Sequence, residues 1–451
     1  MRQNDLTQGR ILSSLFWFAL PFLLANFIQA LYGAVDTAVV GWFSNAAGIS
    51  AVSVGSQLMT IIQSFIIGLT TGGTVLIGQY SGAQRREDIR QTVSTMMVLF
   101  AIFSLALTIL MLIAGNGLLS LLQTPKEAQQ MANEYVMLCS FGIPFLVMYN
   151  AVSSVLRGIG DSKHPLLFVA VGCITNIILD FIVVGGLRMG PAGAALATML
   201  SQGVSAIMAL FYLVKRTQLA EFTLKSLRIS REKIGLIFKI GFPISLQDTV
   251  VSVSFLIIAA IINSMGLIAS AAVGIANKFD GFAMLPASSF SGAIATFAAQ
   301  NMGAGKPHRA KKGLELSILS ALIPAVLFFL WAQISPESIF GIFHAEPDVT
   351  AAGVFYLRSF SIDFLLVSFV FTMNGFLNGC GKTAFTMANG IAATLLFRIP
   401  ISYFVSRLGG DLFAVGFAAP LASLFSIICA LIYLKSGKWR QFSLSEHIEE
   451  K

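Results

Sequence analysis

Within "TNIILDFIVV", residues 175 to 184, an amide and a carboxylate stand four residues apart in an otherwise apolar run: Asn176 and Asp180. Residues at that spacing share a helix face, so the two side chains point the same way. Asp36 in "ALYGAVDTAVVG" and Thr198 in "GAALATMLSQ" stand in similarly apolar surroundings. Together these groups supply two carboxylates, an amide oxygen and a hydroxyl, a ligand set suited to a hard monovalent cation such as Na+. They equally make a proton site, because crowded carboxyls in a poorly solvated pocket do not both stay ionised. The alternative is a structural polar cluster that only fixes helix packing.

The elements that must carry these residues follow from composition. Apolar residues make up 56% of the 451-residue chain and charged residues only 11%, with mean hydropathy +0.81. That balance describes a membrane protein. Apolar stretches long enough to cross the hydrocarbon recur twelve times, roughly at 13–40, 50–78, 92–114, 132–156, 165–186, 192–214, 236–262, 268–299, 314–333, 351–378, 384–405 and 412–434. The first is too long for a signal-peptide core and is kept as a span. The longest polar connection, near 215–235, leaves no room for a catalytic domain outside the membrane. The four cysteines suggest no disulfide framework, and the four histidines lack ligand spacing, so no structural metal is expected.

Charge placement sets the expected orientation. Of the 29 Lys and Arg residues, only Lys126, Arg188, Arg358 and Arg407 fall on one side of the membrane, with Lys278 and Arg398 inside spans; all others gather on the opposite side. The positive-inside rule then puts both termini in the cytoplasm of a multi-pass inner (cytoplasmic) membrane protein. The basic residues point to lipid, not nucleic acid, and "LKSLRISREKI" is expected to lie along the inner headgroups. In this orientation Asp180 lies roughly 7 Å outside the bilayer middle at ~1.5 Å per residue, Thr198 lies at a similar depth, and Asp36 is also in the outer half. The four groups can therefore face one cavity.

The chain also repeats itself. "GQYSGA" (78–83) returns as "AQNMGA" (299–304); the same spacing carries Tyr135 onto Tyr356 and the glycines of "RGIGDSK" onto those of "NGCGKTA", and Pro21 answers to Pro243. Six spans lie between equivalent points, so the halves are parallel repeats, a transporter architecture. The expected organisation is an N-lobe at 1–214 (spans 1–6), a basic connector at 215–235, a C-lobe at 236–436 (spans 7–12) and a tail at 437–451.

With "ALPFLLANFIQALYGAVDTAVVG" in span 1, the repeated Gly-Gln or Ala-Gln loop and the "RGIGDSK" turn, the whole chain resembles the multidrug and toxic compound extrusion (MATE) family. "ANKFDGFAMLP" is closer to its prokaryotic DinF-like and MepA-like members than to the NorM-like ones. The resemblance implies an all-α integral membrane fold, twelve transmembrane helices in two parallel six-helix repeats forming a V-shaped transporter. It also implies that an Asp in span 1, an Asn and Asp four apart in span 5 and a Thr in span 6 couple transport to an ion; the matching positions are Asp36, Asn176, Asp180 and Thr198, which are the metal ligands if the ion is Na+. The glutamate that NorM-like members carry in span 7 is missing, with Val251 near its place.

Gln29, Asn26 and Asn150 are candidate substrate-path groups in the first half. Asp363 is a candidate in the second, where Lys278, Asp280, Asp363 and Arg398 could also balance one another as ion pairs. Pro21, Pro243 and Pro286 each remove a backbone hydrogen bond. "GLTTGG" (68–73) has the small-xxx-small spacing of close helix packing. "GCGKT" (379–383) ends like a phosphate-binding loop, but Phe376 stands where its first glycine is required.

The resulting expectation is an H+- or Na+-coupled antiporter exporting amphipathic, often cationic, drugs and toxic organic compounds, with walls rich in Phe and Met. A lipid-linked precursor flippase is the alternative, disfavoured because the charges within the bundle are mostly acidic. A major facilitator carrier lacks its loop pattern here, and no DDxxD, HExxH or GxSxG motif supports an enzyme. The expected partners are the lipid bilayer and small organic cations or amphipathic substrates. A monomer with no cofactor beyond the transported ion is expected.

Overall fold

In the computed structural model, which describes residues 5–122, 124–216 and 229–441, the chain is helical nearly throughout. Lipid offers the backbone no hydrogen-bond partners, so each apolar stretch closes its own ladder as a helix. The helices are α1 (Ile11–Phe43), α2 (Ala46–Gly82), α3 (Arg86–Leu121), α4 (Lys126–Gly158), α5 (Lys163–Asp180), α6 (Gly190–Arg216), α7 (Arg231–Asn263), α8 (Leu267–Ala283) and α9 (Leu285–Gly303). They continue as α10 (Pro307–Ile334), α11 (Pro336–Ile342), α12 (Pro347–Phe360), α13 (Ile362–Gly379), α14 (Thr383–Ala393), α15 (Ile399–Arg407), α16 (Leu412–Gly416) and α17 (Ala418–Lys435). Among the described residues, twelve helical stretches are long and apolar enough to cross a membrane. The protein is a multi-pass membrane protein with the expected number of spans.

Local chemistry marks the ends. Asn45 caps α2 by accepting from Gly48 N–H at 2.9 Å, and Asp411 caps α16 by accepting from Ala414 N–H at 2.9 Å. Prolines start α10, α11 and α12, where a missing N–H costs nothing. Pro286 does the same for α9. The eighth span is interrupted at Met284, so Pro286 opens a new helix and is no kink inside a continuous one. The tenth span is likewise divided, at Ser361, where one uninterrupted stretch was expected. Gly160 and Gly381, the second glycines of the two repeated turns, both have positive φ (91° and 75°), a conformation that explains glycine at both places. The four cysteines are free.

The chain forms two compact units. Leu24–Ser245 make the first; the described residues before Leu24 join those after Ser245 in the second. The opening third of α1 thus belongs with the second unit and the opening half of α7 with the first, each crossing falling just after the proline of its helix, Pro21 or Pro243.

Within the first unit, the "GLTTGG" face of α2 receives this part of α7. A Cβ on Gly72 would meet Gly241 N at 2.6 Å, and one on Gly241 would meet Leu69 O at 2.5 Å. Only glycines let the two backbones come this close. Lys233, near the start of α7, is 1% exposed and donates to Tyr80 Oη and Asp88 Oδ1, both at 2.7 Å. Sequence position alone would give this lysine to the headgroup-facing connector, of which residues 217–228 lie outside the described residues.

The second unit holds its incoming chain by an equivalent device. Leu6 N–H donates to Gln300 Oε1 at 3.3 Å, and Asn301 Nδ2 donates to Leu6 O at 3.2 Å. Arg309 donates to the carbonyls of Leu6, Gln8 and Gly9. The repeated "GQYSGA" and "AQNMGA" segments therefore serve one purpose in both units: Tyr80 and its counterpart Asn301 grip the chain entering from the other repeat. The Leu6 side chain is 1% exposed and packs with Phe297, Phe376 and Trp439.

Candidate functional site

The first unit encloses a cavity of about 370 Å³, a volume suited to a drug-sized molecule. Its walls come from α1, α2, α4, α5 and α6, and its lining includes Gln29, Tyr32, Asp36, Tyr135, Asn150 and Thr198. Asp36 is 6% exposed and Thr198 9%.

Asn176 and Asp180 do not line the cavity. Both are fully buried (0% exposed), and the Asp180 carboxyl lies within hydrogen-bonding reach of Asp36. Asp36 thus stands between the cavity and a sealed polar cluster. As two carboxylates the pair has no proton to share, and Asp36 Oδ1, both Asp180 oxygens and Asn176 Oδ1 are buried without a donor. One added proton lets either carboxyl donate to the other; one monovalent cation takes the same oxygens as ligands. Either resolves a cluster that is costly as it stands. Na+ fits this oxygen set, although Asn176 Nδ2, also without a partner, gains nothing from a cation. Groups of three or more His, Cys, Asp or Glu able to hold a metal do not occur among the described residues.

Thr198 reaches the cluster indirectly, since its Oγ1 accepts from Tyr32 Oη at 2.9 Å. Tyr32 lies four residues before Asp36 on α1, the spacing that singled out Asn176 and Asp180. Tyr135, the repeat anchor, also lines this cavity together with Cys139 and is close to Asp36. Sequence alone marks neither tyrosine as a site residue, because an isolated tyrosine in an apolar span reads as packing.

Asp180 ends α5, and the next residues, Phe181–Gly186, form a π-helical turn. Such wider turns recur at functional sites. The eleventh span contains another, Thr394–Arg398, after α14. Nothing in the residue pattern announced either.

The remaining candidates divide. Gln29 and Asn150 line the cavity, Asn150 Nδ2 donating to Leu146 O at 2.8 Å; Asn26 is half-buried and outside the lining. Asp363 belongs to the second unit, where it is fully buried and lines a pocket of about 30 Å³ with Tyr356 and Arg398. That space is about one water molecule's share of liquid. Asp280 is close to both Asp363 and Arg398, and the Arg398 guanidinium sits 5.1 Å from the Phe255 ring centroid. Lys278 stands apart, exposed, with its ammonium 5.7 Å from the Phe343 ring. Arg398 lies near both aspartates, but Asp280 Oδ1, both Asp363 oxygens and Arg398 Nε are buried without a hydrogen-bond partner, so the expected ion pairs are not made by direct contact. Tyr135 and Tyr356 mark corresponding places in the two units.

The profile of the MatE family matches the chain twice, over residues 21–182 and 243–404. The chain belongs to the MATE family. The doubled match coincides with the repeats and begins each time at the paired prolines, Pro21 and Pro243. This MATE transporter is 28% identical to the "Probable multidrug resistance protein YpnP" of Bacillus subtilis (strain 168), over 98% of this chain and 99% of that one. It is 27% identical to that organism's "Probable multidrug resistance protein YoeA", over 92% and 91%. Its fold matches the solved "Outward-facing conformation of a multidrug resistance MATE family transporter of the MOP superfamily" with a TM-score of 0.90 at 21% identity, covering 97% of this chain and 98% of the other.

Proposed function

We propose that this protein is a secondary antiporter that exports amphipathic, often cationic, organic molecules using an inward proton or sodium gradient, with Asp36, Asn176, Asp180 and Thr198 as the coupling site. The observation that carries this reading is the position of Asp36, one face toward a drug-sized cavity and the other toward the buried Asp180 cluster. A positively charged substrate in the cavity and an ion in the cluster draw on the same carboxylate, so each weakens the hold on the other. Differential binding of that kind is what exchange requires. The multidrug names of the relatives support the same substrate range. Burial of Asn176 and Asp180 makes the ion site dry, so ion release requires a rearrangement of α1 around them.

In this reading the protein lies in the cytoplasmic membrane as a monomer with both termini inside, works without a cofactor and is not an enzyme. The test is transport of a fluorescent organic cation by proteoliposomes under an imposed proton or sodium gradient. One gradient drives accumulation, and Asp36→Asn and Asp180→Asn each abolish it. Dye movement by neither gradient, or movement indifferent to both substitutions, refutes the proposal. Labelled lipid-linked precursor crossing the bilayer would replace it with a flippase.

A further inference from the structure

The cavity wall lacks the richness in Phe and Met side chains expected from sequence. Among the described residues, no phenylalanine lines it and Met59 is its one methionine. Its polar groups are mostly hydroxyls and amides, and the direction of their hydrogen bonds is informative. Ser56, Thr60, Ser201, Ser205 and Tyr149 donate their protons to the backbone carbonyls of Ser53, Ser56, Thr198, Phe168 and Pro165, at distances from 2.8 to 3.3 Å. Tyr32 spends its proton on Thr198. A hydroxyl whose proton is committed this way offers the cavity only lone pairs. Asn150 directs one of its two N–H bonds at Leu146 O and keeps its carbonyl oxygen. Among the described residues, Asp36 is the single carboxyl in the lining and no Lys, Arg or His lines it. Apart from Thr198 and Tyr135, whose own hydroxyl protons are given to no backbone carbonyl, the hydroxyls of the wall face the cavity as acceptors, and Asp36 makes it negative at one point.

We propose that this cavity selects organic cations carrying N–H donors, such as ammonium, amidinium or guanidinium compounds, over quaternary cations of the same charge and size. This rests on the transport reading above and narrows its substrate class. A quaternary cation satisfies the charge of Asp36 but strips water from the acceptors without replacing its hydrogen bonds. An N–H cation replaces them, and hydrogen bonds from charged donors are the stronger kind. Gln29, Gln63 and Gln202, which also line the cavity, both donate and accept; they let the substrate carry some acceptors but do not reverse the preference.

The test uses the full chain in lipid nanodiscs at pH 7 and a matched pair of probes, dansylamidobutylammonium and its N,N,N-trimethyl analogue. The ammonium is expected to bind about tenfold or more tightly than the trimethyl compound. In a Thr60→Val/Ser201→Ala protein, the preference shrinks toward parity. Asp36→Asn weakens both probes. Equal or tighter binding of the trimethyl compound to the unaltered protein overturns the proposal, with no need of a variant. So does a preference unchanged in a double variant that melts like its parent. If both probes are transported equally and both depend on Asp36, only the donor preference falls; if neither binds nor moves under either gradient, the transport reading falls with it.

Discussion

Lys233→Met provides a quantitative test of how the first unit holds the start of α7. The lysine side chain is 2% exposed and pairs with Asp88, whose own side chain is 17% exposed and also bound by Arg85 at 2.6 Å. Removing one partner of a buried ion pair costs roughly 3–5 kcal/mol, mostly for the charge left behind. Here the stranded carboxylate keeps Arg85 and some water, which places the loss near the low end, ~3 kcal/mol. Tyr80 also loses its donor, but its hydroxyl can rotate to another partner. The assay is thermal unfolding of purified protein in detergent, where Lys233→Met lowers the Tm by roughly 3 °C. Adding Asp88→Asn removes the stranded charge and restores at least half of that loss. A Lys233→Met protein that melts like its parent would refute the reasoning, as would a double variant less stable than the single one.

Three further outcomes follow from the packing and the buried charges. Gly72→Ala drives a methyl into the backbone of Gly241 and costs about 1–3 kcal/mol; Gly117→Ala, with no heavy atom within 4 Å of its new methyl, leaves the melting temperature unchanged or slightly raised, and equal effects of the two contradict the close α2 and α7 contact. Arg398→Met removes the guanidinium near Asp280 and Asp363 and lowers thermal stability, a loss that Asp363→Asn in the same chain reduces; an Arg398→Met protein that melts like its parent shows that the three do not compensate one another. Tyr32→Phe deletes the bond to Thr198, worth about 0.5–1.5 kcal/mol, and shifts the apparent affinity for the coupling ion by roughly two- to tenfold. Ion-concentration curves of transport read this out, and curves superimposable on the parent's remove Tyr32 from the site.

The parts of this account visible in the sequence were those encoded by local spacing. Asn176 and Asp180 announce a shared face by standing four apart, and the depth of Asp36 in its span allows it to face the same cavity, whereas the structure keeps Asn176 and Asp180 out of the cavity lining and brings Asp180 within reach of Asp36. Tyr32 carried the same signal relative to Asp36, but a tyrosine is common in apolar packing and carries no obligatory charge. The assignment of the start of α7 to the first unit was hidden because chain continuity points toward the residues that follow. The glycines at 68, 72 and 241 recorded that contact only as a tendency to pack closely. Lys233 misled for a related reason: a lysine beside a basic connector looks like a headgroup anchor until Asp88 and Tyr80, far away in sequence, are seen around it. The interruptions at Met284 and Ser361 fall in stretches whose hydropathy does not change, and the π-helical turns have no residue signature.

The central claim is that substrate and coupling ion compete through Asp36. Equilibrium binding of a fluorescent organic cation to the purified protein, measured while H+ and Na+ are varied separately, tests it most directly. The account predicts that one of the two ions weakens binding competitively and that this dependence disappears in Asp36→Asn. Binding indifferent to both ions, or an ion dependence that survives in Asp36→Asn, would contradict it.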